Sequence, residues 1–100
     1  MKIGVFDSGL GGLTVLKALW KYLPNEDYVY LGDTARVPYG IRSRDVIHRY
    51  AKQSLDFLFT QNVDLCVIAC NTVSAYALEE LEAEFAYPLI GVVECLGSLS

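Results

Sequence analysis

The stretch Asp64–Leu81, DLCVIACNTVSAYALEEL, decides the fold. Its first half holds a short apolar run, Leu65 to Ala69, with no polar alternation. A run of that kind is a strand buried on both faces. From Ser74 onward, Ala77, Leu78, Leu81 and Phe85 recur at helical spacing. A buried strand that turns directly into an amphipathic helix is the building block of a βαβ unit. Cys70-Asn71-Thr72 occupies the turn. A helix N-terminus offers unpaired N–H groups and partial positive charge, and both favour a thiolate. Cys70 is thus the first candidate for chemistry, as nucleophile or base.

The same alternation extends in both directions. Lys2 to Phe6 reads as a strand ending at Asp7, and Ser8-Gly-Leu-Gly-Gly12 as a tight loop. A helix follows with Leu13, Leu16, Trp20 and Leu23 as its buried stripe, ended by Pro24-Asn25. Tyr28 to Leu31 is a second strand, and Gly32 to Gly40 a loop containing Pro38. Ser43 is the expected N-cap of a helix burying Ile47, Tyr50, Ala51, Leu55 and Leu58, with Asp45 and Arg49 paired outside. Pro88 opens a fourth strand through Val93. Trp20 and the helical tyrosines are expected in the core. The predicted class is α/β: an open parallel sheet of right-handed βαβ units with helices on both faces.

Composition narrows the function. With 53% hydrophobic and 20% charged residues, the 100-residue chain is a packed domain. The net charge is -4, and Asp45 interrupts Arg42, Arg44 and Arg49, expected along one helix. Nucleic acid needs a basic face, so it is not an expected partner. No signal-peptide core and no apolar stretch near ~18 residues is visible, so a membrane is not expected and a cytoplasmic protein with reduced thiols is. Cys66 and Cys70 share one strand, about 13 Å apart, too far for a disulfide or a common zinc ion. No metal site is expected, and Cys66 reads as a small buried hydrophobe. His48 has a surface or packing role, and Glu79, Glu80, Glu82 and Glu84 form a solvated helix face.

Ligands of open parallel sheets bind at the C-terminal strand ends. Asp7 and Ser8 follow the first strand, Asp33, Thr34 and Tyr39 the second, Cys70, Asn71 and Thr72 the third, and Glu94 the fourth. Each has a plainer reading. Asp7, Ser8, Asp33 and Thr34 can shape turns, Tyr39 can be an exposed loop aromatic, and Cys70 a structural thiol. Gly9, Gly11 and Gly12 suit backbone turns and let N–H groups approach an anion. The loop lacks the dinucleotide and Walker patterns, and Tyr76 stands where a cysteine phosphatase needs arginine.

Three segments stand in order: Ile3 to Val15, IGVFDSGLGGLTV; Tyr30 to Gly40, YLGDTARVPYG; and Ala69 to Thr72, ACNT. Together they resemble glutamate racemase, of the aspartate/glutamate racemase superfamily. The resemblance runs over residues 1–94, leaving 95–100 as a tail off the family pattern. Cys95 stands where the family has proline after the glutamate matching Glu94.

The resemblance implies a cofactor-independent isomerase that makes D-glutamate for peptidoglycan, and so for cell wall and cell shape. Cys70 would be one of two catalytic cysteines, assisted by Asp7. Asp7, Ser8, Tyr39, Gly40, Asn71 and Thr72 would bind glutamate, partly through backbone N–H groups around Ser8, Gly40 and Asn71. The resemblance places the second cysteine in a second α/β domain, in a Gly-Cys-Thr-His motif this sequence lacks. The chain would then be half of a two-domain, homo-oligomeric racemase, inactive alone. Three other readings remain open: a truncated carboxylate-binding fragment, a related aspartate racemase, and a phosphate- or nucleotide-binding module using the glycine loop.

Overall fold

The computed structural model describes residues 1–9 and 12–91. Four strands form one parallel sheet: β1 Lys2–Asp7, β2 Asp27–Gly32, β3 Leu65–Ile68 and β4 Leu89–Gly91, in the order β2-β1-β3-β4. Val92, Val93, Glu94 and Cys95, and with them the 95–100 tail, lie outside the described residues. The central β1 is apolar from Ile3 to Phe6 because it is covered on both sides. Ile3, Val5 and Phe6 are all buried.

Alternate strand residues build two cores. Ile3, Val5 and Val67 face α1 (Gly12–Tyr22), which meets them with Val15, Leu16 and Leu19. Phe6, Cys66, Ile68 and Leu89 face α2 (Arg44–Phe59), α3 (Asn71–Tyr76) and α4 (Leu78–Glu84). Those helices contribute Ile47, Ala51, Leu55, Leu58, Val73, Leu78 and Leu81. Between β1 and β3, Gly4 pairs with Cys66, and a Cβ on Gly4 would stand 2.8 Å from the Cys66 Sγ. The sulfur fills the space the glycine leaves.

Several expectations change. Trp20 is 63% exposed, and Leu13 and Leu23 are exposed too, because α1 covers only a narrow strip of sheet and its flanks face outward. Tyr22 and Tyr76 are likewise exposed, while Tyr50 is half-buried. The single helix expected after Cys70 is two, bent at Ala77, whose φ of -131° leaves the helical range. Both Val73 and Leu81 thereby reach the core. Ser43 caps α2 as expected, its Oγ accepting from the Val46 N–H at 3.3 Å. Asp45 and Arg49 are not among the described ion pairs; the pair along α2 is Lys52–Asp56, and Arg49 lies over the Tyr50 ring. Arg42 precedes the helix rather than lying on it. His48 binds Glu84 at 2.6 Å, joining α2 to α4 and taking Glu84 out of the purely solvated face. No helix among the described residues is long and apolar enough to cross a membrane.

Candidate functional site

The parallel register brings the strand ends to one edge. The Asp33 N–H donates to the Asp7 carbonyl at 2.8 Å, and the Ala69 N–H to the Phe6 carbonyl at 2.7 Å. The loops after β1, β2 and β3 therefore start side by side.

Asp7 is 5% exposed, and its carboxylate organises the first loop. Oδ1 accepts from the Ser8 N–H at 2.8 Å and Oδ2 from the Gly12 N–H at 2.6 Å. Hydrogen bonds to a charged acceptor contribute about 1.5–3 kcal/mol each. A Cβ on Gly12 would stand 2.7 Å from Asp7 Cβ and 3.1 Å from a Tyr30 ring carbon, so this position has room only for glycine. The need is for space: no glycine among the described residues has positive φ. Tyr30 pins the far side of the loop, its hydroxyl donating to the Gly9 carbonyl at 3.0 Å. Burial, then the Asp7 charge, pushes the Tyr30 hydroxyl above its ordinary range, which keeps it a donor.

This anchoring sets Ser8 beside Cys70. The Cys70 Sγ donates to the Ser8 Oγ at 3.0 Å across the β1–β3 edge. Cys70 is 4% exposed and forms the N-cap of α3. Its sulfur thus has a polar partner at the strand end, although the rest of the side chain packs in the core. A hydroxyl can accept from a thiol and donate to a thiolate, so Ser8 suits both protonation states.

The second loop folds into two short 3-10 turns, Thr34–Arg36 and Tyr39–Ile41. Tyr39 corrects the reading of an exposed aromatic: it is 2% exposed and packs near Phe6 and Tyr50. Its hydroxyl donates to Asp33 Oδ2. Burial first, then that bond, holds the hydroxyl far above its ordinary range. Gly40 is exposed immediately beside it, and a Cβ there would lie 3.8 Å from Thr72 Oγ1. Asn71 is exposed as the first residue of α3, and Thr72 is half-buried.

The expected residues therefore gather as Asp7–Ser8–Cys70 on one side and Gly40–Thr72 on the other. Ser8 does not offer its backbone N–H, which is taken by Asp7, so its hydroxyl is the donor left. Arg36, not among the residues expected at the site, binds both Asp33 and Gln53. The Asp33/Arg36 spacing of one turn was the available signal.

No family profile matches the chain. The glutamate racemase of Aquifex aeolicus is 65% identical over 94 residues, covering 94% of this chain and 37% of that protein. The solved glutamate racemase of Aquifex pyrophilus superposes with a TM-score of 0.91 at 61% identity, covering 94% of this chain and 37% of that one. The Francisella tularensis glutamate racemase, solved in complex with D-glutamate, gives 0.89 at 50% identity, covering 98% and 38%. The chain spans little more than a third of the length of these relatives. In sequence and in fold it corresponds to the N-terminal segment of glutamate racemases.

Proposed function

We propose that this chain supplies one wall, and one of two proton-carrying thiols, of a glutamate racemase site. Residues 1–94 then form the N-terminal racemase domain, and the facing wall comes from polypeptide matching the rest of the relatives' length. The observation that carries the reading is the Cys70 thiol held against the Ser8 hydroxyl at the C-terminal edge of the parallel sheet, where such sheets bind ligands. The D-glutamate complex of the Francisella tularensis relative supports the choice of substrate.

Racemisation removes the α-proton from one face of the amino acid and returns one to the other. Cys70 as thiolate takes the proton at its face; as thiol it gives one back in the reverse direction. Ser8 turns its hydroxyl to match each state, and Asp7 fixes Ser8 through the loop. In this reading the Gly40 and Asn71 backbones and the Thr72 hydroxyl bind the carboxylate and amino groups. Polar groups preorganised around the carboxylate stabilise the carbanion, and exclusion of water strengthens them. Cytoplasmic supply of D-glutamate to peptidoglycan and a homo-oligomeric whole protein belong to the same reading.

Cys70→Ser in a polypeptide extended to the relatives' length should slow α-proton exchange in heavy water by about 10²-fold or more, the scale of a positioned base. Undiminished exchange would remove Cys70 from the chemistry. The 100-residue chain alone should show no appreciable exchange, and rapid exchange would show that one wall is enough.

A further inference from the structure

We propose that Arg36 is a positioning residue for substrate: it holds the Tyr39–Gly40 turn in place and so sets how tightly glutamate's carboxylate is bound. The inference rests on the function proposed above. Arg36 Nε donates to Asp33 Oδ2 at 2.7 Å, the same oxygen that receives the Tyr39 hydroxyl. Its Nη1 donates to Gln53 Oε1 on α2 at 2.5 Å. The guanidinium carbon lies 4.0 Å from the Tyr50 ring centroid. The Arg36 carbonyl accepts from Arg42 Nη2 at 3.2 Å, closing the segment on itself.

One planar cation therefore joins the end of β2, the buried Tyr39 and two residues of α2. Lysine cannot do this, since it lacks the fork and the stacking face. Gly40 follows Tyr39 directly, and a Cβ on it would lie 3.8 Å from Thr72 Oγ1. Holding Tyr39 restricts the backbone of the adjoining Gly40. Without Arg36, Asp33 loses its cation and the turn loses its link to Gln53, keeping only the packing of Tyr39 on Tyr50. In the function proposed above Gly40 serves the carboxylate and Cys70 the reacting carbon, so the loss belongs to binding.

Amide exchange in the 100-residue chain tests the turn. Arg36→Met should speed exchange at residues 39–42 about tenfold while β1 and β3 stay protected, the scale of one lost charged hydrogen bond. No change, or uniform acceleration, overturns the proposal. In the racemase-length polypeptide, Arg36→Met should raise KM for glutamate about tenfold with kcat within about threefold, and Arg36→Lys should fall between. An unchanged KM, or a loss confined to kcat, overturns it. If Arg36→Met does not fold, Gln53→Ala should give about a threefold local acceleration, the scale of one solvent-exposed hydrogen bond; none would overturn the proposal. A wild-type polypeptide without α-proton exchange would sink the racemase reading, while the amide measurement still decides whether Arg36 fixes the turn.

Discussion

Gly12 and the two described cysteines show how much a single residue can settle. A methyl at Gly12 meets the Asp7 side chain at 2.7 Å, so Gly12→Ala must displace the carboxylate that holds the loop. The expected cost is about 1–3 kcal/mol, read as a lower urea midpoint. Cys66 and Cys70 are both buried, but of the two thiols only that of Cys70 has a hydrogen-bond partner among the described residues. Burial pushes the Cys66 thiol from 9.0 up to about 12. In the unfolded chain the thiol ionises at its ordinary value, while in the fold it stays neutral. Its contribution to stability is complete below about pH 9 and is lost as pH rises towards about 12. Urea midpoints of wild type and Cys66→Ala at pH 8 and pH 10.5 should show the wild type falling further. Cys66 was legible as a core residue because its whole strand is apolar. Gly12 was legible only as a loop glycine, because the approach of Asp7 depends on where the loop lands.

Helix ends and strands follow local chemistry, whereas helix faces follow their surroundings. Ser43 at the head of α2 satisfies an otherwise unpaired N–H. Ser43→Ala should therefore cost about 1 kcal/mol in chemical denaturation. The strands were readable because parallel strands covered on both sides must be continuously apolar. The buried stripe of α1 differs from the expected one because Leu13 and Trp20 fit helical spacing but flank the strip of sheet that α1 covers. The break at Ala77 has no local signal at all, alanine being the best helix former. There the bend is decided by which side chains the sheet can accept.

At the scale of the molecule, parallel crossovers place the loops after β1, β2 and β3 on a common rim. That alone made Asp7, Ser8 and Cys70 readable as neighbours across 62 residues of sequence. The inward turn of Tyr39 was not readable, because its burial is supplied by Phe6 and Tyr50 from two other elements. The Gly4–Cys66 contact has a related consequence. Two positions far apart in the chain hold a single atom's room between them, and either may claim it. Gly4→Ala should destabilise the fold, and adding Cys66→Ala should return most of the loss, a coupling measurable by a double-mutant cycle. Substitutions at this pair of strands are thus expected to be tolerated in tandem and penalised singly.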